Sequence, residues 1–110
     1  MMNTKKILYS LGFTILGMIL VFLIWKKVFI LILFLLMTAY LKHKIIPIKK
    51  EFILFIVSGL TGTSVESFIM LSGPWTYTYK DVANFPLWLP FLWGLAGILG
   101  ISLYQGITDK

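Results

Sequence analysis

Long apolar runs, each bounded by lysine or proline, set the pattern of this chain. The first runs from Ile7 to Trp25 and stops at Lys26 and Lys27. The second begins at once with Val28 and is solidly apolar to Leu41. A continuous helix through both would leave two lysines at mid-bilayer, so the pattern predicts a tight helical hairpin. The second run gives only about 21 Å of helix at roughly 1.5 Å per residue, short for a hydrocarbon core of about 30 Å. Snorkelling of Lys27 and Lys42, or continuation through Ile45 and Ile46, extends it. Pro47 favours a break after it. A third run starts near Glu51 and ends at Ser72, before Gly73 and Pro74. A fourth starts after Pro86, tolerates Pro90 in its first turn, and ends near Gln105.

These runs predict an all-α fold. It is an integral membrane four-helix bundle, built from an N-terminal helical hairpin plus two helices joined by an aromatic loop. The expected spans are about 7–25, 28–46, 51–72 and 87–105, within a single transmembrane domain over residues 1–110. The first span follows Lys5 and Lys6 as a signal peptide would. It is too long for one and no small-x-small cleavage site follows, so it is read as a retained helix.

Composition points the same way. The 110 residues are 59% hydrophobic, and 13% are charged against roughly 25% in soluble domains. Mean hydropathy is +0.94. Four spans nearly fill the length, so no soluble domain fits beside them. There is no cysteine, which excludes disulfides, thiolate nucleophiles and palmitoyl anchors.

The net charge of +6 comes from lysines flanking the spans. No basic stretch is interleaved with aromatics in a folded module, so nucleic acid is not an expected partner. The lysines read as topology signals and contacts for anionic lipid. Lys5, Lys6, Lys42, Lys44, Lys49, Lys50 and Lys110 share one side; Lys26, Lys27 and Lys80 share the other. Seven against three predicts both termini in the cytoplasm; the expected membrane is a bacterial or archaeal plasma membrane.

One residue breaks the apolar pattern from inside. Glu66 is the only acid between Phe52 and Leu71. A carboxylate within a span costs roughly 2.5 kcal/mol or more, and such residues face a bundle interior or a watery cavity. At 100° per residue, Ser58, Gly62 and Glu66 share one helical face, with Gly59 and Thr63 beside them. Ile53, Val57, Leu60, Phe68 and Leu71 lie on the other side. Small and hydroxyl-bearing residues are those that let membrane helices approach closely. One reading is therefore a packing seam with a bonded carboxyl. The other is a site, with Glu66 as proton donor or ion ligand. In the fourth span Trp93, Gly97, Gly100 and Tyr104 share a face, which suits either close packing or a flat apolar ligand.

The loop before that span holds Trp75, Tyr77, Tyr79, Phe85 and Trp88. An interfacial aromatic belt accounts for the residue types. A lid over Glu66, about two turns or roughly 9 Å below Ser72, is the sharper reading. Such a lid could hold an isoprenoid or stabilise a cation through ring faces. His43 sits among lysines and reads as a solvated connector residue. No metal cluster, nucleophile triad or phosphate-binding glycine loop is present, so neither metal nor cofactor is expected.

The stretch from Gly62 to Trp93 reads G-x-x-x-E, then G-P-W-T-Y-T, then P-L-W-L-P-F-L-W. It resembles membrane proteins of carotenoid metabolism, the carotenoid hydratase family and the small-subunit lycopene cyclases, and small bacterial membrane proteins with the same acid, turn and P-x-W start. The resemblance implies that Glu66 is the intramembrane acid, that Gly73, Trp75 and Tyr77 form the turn, and that Pro86, Pro90 and Trp93 open the next helix. The cyclases carry paired glutamates where this chain has Leu87 and Trp88.

Several classes of function stay open at this point. One is binding, or acid-catalysed modification, of an isoprenoid-like lipid or other apolar small molecule in a cavity around Glu66, with Ser58, Gly62, Trp75, Tyr77 and Trp93 as ligand-binding residues. In the catalytic version Glu66 donates a proton to a C=C bond and Trp75, Tyr77 and Trp93 shield the cation. A second is a small proton-coupled transporter acting as a dimer. A third is a structural or assembly subunit of a homo- or hetero-oligomer. Topology can be tested directly. Reporter fusions at Lys80 and at Lys110 are expected to report opposite sides of the membrane, and signals from the same side would overturn the lysine assignment.

Overall fold

The computed structural model describes residues 3–73 and 85–108. It contains four helices: α1, Thr4–Ile24; α2, Val28–Ile45; α3, Glu51–Met70; α4, Leu89–Thr108. All four are long and apolar enough to cross a membrane. The molecule is 43 Å along its longest axis, close to the roughly 40–45 Å of a bilayer with its headgroups. Its outward faces carry large apolar side chains, with Phe22 80% and Phe29 79% exposed. A water-soluble monomer rarely shows such continuous apolar surface. This is an integral membrane protein.

Local chemistry sets the helix ends. α1 starts earlier than the apolar run because the Asn3 side chain caps it, accepting from the Lys6 N–H at 3.2 Å. The hairpin between α1 and α2 turns at the two lysines, where the Lys27 N–H donates to the Ile24 carbonyl at 2.9 Å. Lys26 folds back over the Trp25 ring, 5.3 Å from its centre. Residues 42–44 form the last turn of α2, not a connector. Cations there oppose the partial negative charge of a helix C-terminus.

Lys50 precedes α3 with φ 57°, a left-handed conformation that costs a non-glycine residue about 1–2 kcal/mol. α3 ends at Met70, two residues short of the sequence expectation. Gly73 follows with φ +92°, which glycine adopts without a Cβ clash. Pro90 is the second residue of α4, where no intrahelical N–H is required.

α4 is the centre of the bundle and packs against α1, α2 and α3. Its residues Leu89, Leu95, Ile98 and Leu99 are buried together with Leu31 and Leu35 of α2 and Phe13 of α1. The N-terminal end of α1 is tied to the C-terminal end of α4. The Asn3 N–H donates to the Gly106 carbonyl at 2.7 Å, and Lys6 Nζ donates to Gln105 Oε1 at 2.7 Å. Both ends of the described chain therefore lie on the same side of the bundle.

The contact between α3 and α4 is built on glycine. Gly59 faces the Pro90 carbonyl, Gly94 faces the Phe55 carbonyl, Gly97 lies against Ser58, and Gly62 lies under the Trp93 ring. A Cβ on Gly59 would stand 2.5 Å from the Pro90 oxygen, and one on Gly94 would stand 2.7 Å from the Phe55 oxygen. Those neighbours are backbone and cannot turn away. Gly94→Ala is expected to push α3 off α4 and cost about 1–3 kcal/mol, as overpacking does. Gly100→Ala, which meets nothing within 4 Å, is the matched control. Thermal unfolding in one detergent compares the two. Equal midpoints would show that the close approach contributes nothing.

Candidate functional site

Glu66 lies on α3 one turn before the helix ends at Met70. That is about 6 Å of helix from the end, shallower than a span reaching Ser72 would place it. The cost of an ionisable group falls toward the membrane surface, so a carboxyl here is easier to keep than at mid-span. Glu66 is partly buried, and the Trp93 indole N–H donates to its Oε1 at 3.3 Å. The same ring covers Gly62, one turn earlier on α3. Only a residue without a side chain leaves room for an indole there. Gly62 therefore lets Trp93 lie flat on α3 and reach the carboxyl.

These two groups stand at a cleft of about 240 Å³ bounded by α1, α3 and α4. Thr14, Gly17 and Met18 supply the α1 wall, and Leu92, Ala96 and Leu99 line the α4 side. The lining is apolar apart from Glu66, Thr14 and the Trp93 nitrogen, and the Thr14 hydroxyl already donates to the Ser10 carbonyl at 2.8 Å. A carboxyl beside an indole N–H, facing an apolar cleft, can hold one polar or unsaturated point of an otherwise apolar molecule.

The six residues expected at a site divide as follows. Gly62, Glu66 and Trp93 come together. Ser58 is partly buried but packs on Gly97 and does not line the cleft. Trp75 and Tyr77, and with them the expected lid, lie outside the described residues. On α3 the opposite face behaves as the helical wheel predicts: Ile53, Val57, Leu60, Phe68 and Leu71 are all exposed. The most buried line on the helix is Gly59 and Thr63, beside the face of Ser58, Gly62 and Glu66. The α1 wall of the cleft escaped the sequence reading, because nothing in an unbroken apolar run says which face meets a neighbour.

A second polar cluster was also missed. Lys42 is fully buried, with Nζ 2.5 Å from Glu51 Oε2 and 3.0 Å from the Ile46 carbonyl. His43 Nδ1 lies 2.7 Å from Glu51 Oε1, and the Ile48 N–H donates to that same oxygen at 3.2 Å. An ionised carboxylate only accepts, so Nδ1 is the donor in that pair. Two sequence expectations are corrected here. Lys42 does not snorkel to water, because Glu51 gives its ammonium a partner inside. His43 is not in a connector: it belongs to α2, and its ring, 55% exposed as a solvated residue would be, is also tied to Glu51. The sequence signal was a lone acid directly after a lysine pair, at the start of a span.

Among the described residues no group of three or more His, Cys, Asp or Glu side chains is placed to hold a metal ion. No protein-family model, curated relative or solved structure matches the chain.

The buried pair has a measurable signature. Glu51→Leu leaves Lys42 buried with only a carbonyl partner and is expected to cost about 3–5 kcal/mol. Lys42→Met with Glu51→Leu removes both charges and is expected to recover most of that loss, since apolar replacement of a buried pair is often neutral. Unfolding midpoints of wild type, both single variants and the double variant complete the cycle. Additive losses would mean that the two residues do not act as a pair.

Proposed function

We propose that this membrane protein binds an apolar, isoprenoid-like lipid at the cleft between α1, α3 and α4, with one polar or unsaturated point of the lipid at Glu66. The observation that carries this reading is the Trp93–Glu66 pair at a cleft that is otherwise apolar. A space of about 240 Å³ lies below the roughly 300–1,000 Å³ of pockets that enclose a whole small molecule. It suits one segment of a long chain, the remainder lying along the bundle in the bilayer. The sequence likeness of Gly62–Trp93 to proteins of carotenoid metabolism supports the same ligand class. On that likeness the site could also do acid chemistry: protonated Glu66 would donate to a C=C bond, and the Trp93 ring would stand beside the cation. The lysine-rich end is assigned to the cytoplasm, which puts Glu66 near the outer surface.

The test is mass spectrometry of lipids retained through purification in mild detergent. Wild type is expected to retain an isoprenoid-like lipid. Glu66→Gln keeps the shape but cannot ionise or give a comparable proton; it is expected to lose the lipid while unfolding at nearly the wild-type temperature. Ala96→Phe, which fills the cleft without altering the acid, is expected to lose it too. Retention unchanged in both variants would end the site reading. If in addition Glu66→Leu alone lowered stability, Glu66 would be a packing residue whose partners are left unpaired.

A further inference from the structure

A second groove, of about 440 Å³, runs between α2 and α3 with α4 as its floor. It lies toward the opposite end of α3 from the Glu66 cleft. Its walls are apolar and aromatic, with Leu36 and Ala39 from α2, Phe52 and Phe55 from α3, and Phe91 and Ile98 from α4. Its polar end carries Tyr40, His43 and Glu51. The chemistry of that end is one-sided. Glu51 is neutralised from within by Lys42 and also accepts from Ile48 and His43, so its charge is not directed at an occupant. What remains at the rim is positive. Lys44 Nζ stands 5.5 Å from the centre of the Tyr40 ring, and the exposed Lys49 and Lys50 follow in the turn before α3.

We propose that this groove is a binding site for an anionic phospholipid, with an acyl chain on the phenylalanine walls and the headgroup phosphate at Lys44 and His43. An apolar slot in the hydrocarbon region, ending at cations at the membrane surface, matches a lipid of that charge along its whole length. Both halves of the match are needed. A zwitterionic lipid would fill the slot but bring a headgroup cation to the lysines beside its phosphate, whereas a free phosphate would meet the cations and leave the slot unused. The proposal does not depend on the reading of Glu66.

The experiment is native mass spectrometry of the full chain with phosphatidylglycerol, with phosphatidylcholine of identical acyl chains, and with inorganic phosphate. Phosphatidylglycerol is expected to stay bound under collisional activation that strips phosphatidylcholine, and inorganic phosphate is expected not to bind. Lys44→Ala lies outside the Lys42–Glu51–His43 network, so it tests the charge without risking the fold; it is expected to weaken phosphatidylglycerol binding about five-fold, the worth of one lysine at an anionic surface. Ala39→Phe fills the slot and is expected to abolish retention of both lipids there. Lys26→Ala, at the far end of the bundle, is expected to leave phosphatidylglycerol binding unchanged. Equal retention of the two lipids would overturn the proposal, as would equal losses in Lys44→Ala and Lys26→Ala. Binding of inorganic phosphate at the strength of the lipid would also overturn it, showing a charge patch without a chain site.

Discussion

In a bilayer, apolar surface does not by itself hold helices together, because lipid tails are as apolar as leucine side chains. Close approach must supply the attraction, and in this molecule it is supplied where α3 crosses α4. Four glycines, two on each helix, let backbone carbonyls and one indole ring reach within contact of the facing helix. The rest of the site follows from that crossing. Gly62 admits the Trp93 ring, the ring's N–H reaches Glu66, and the carboxyl turns to the cleft beside α1 instead of to open lipid. A methyl group at any of these contacts would move α3 and the carboxyl together.

The opposite end of α3 is fixed by charge. Glu51 sits at the first residue of the helix, where a carboxylate is favoured by the positive end of the helix dipole. Its partners come from the preceding helix and turn: Lys42, His43 and Ile48. Burying an ammonium and a carboxylate costs several kcal/mol for each ion, so such a pair adds little net stability over an apolar packing. Its effect is to discriminate. Any arrangement of α2 and α3 that separates the pair leaves a buried charge without a partner, and the penalty falls on the wrong arrangement alone. α3 is thus held by charge at its first residue and by shape along the glycine face from Phe55 to Gly62.

The helices were legible because membrane spans announce themselves by length and by the charges that bound them. The face of α3 was legible because Ser58, Gly62 and Glu66 recur at four-residue spacing while Val57, Leu60 and Phe68 fall elsewhere. What could not be read was any feature made by two helices at once. Nothing along α1 marks Thr14, Gly17 and Met18 as the wall of a cleft, since that depends on how α1 sits against α4. Lys42 looks like every other flanking lysine until Glu51 is placed beside it. The same limit explains His43. Lysines around a histidine imply water, and the ring is indeed exposed, but they do not reveal the carboxylate eight residues later that bonds it.

The Glu66 cleft and the α2–α3 groove both open beside α3, and their polar groups differ in a way that separates what each can hold. At the Glu66 cleft the polar pair is an acid and an indole N–H, with no lysine among the lining residues. An anionic headgroup would find no cation among that lining and would leave its charge without a partner. A neutral apolar chain with one hydrogen-bonding or unsaturated point meets no such penalty. At the α2–α3 groove the acid is already neutralised and the rim is cationic, so the rim offers a phosphate the partner that the other cleft lacks. Under the two proposals the openings take different lipids.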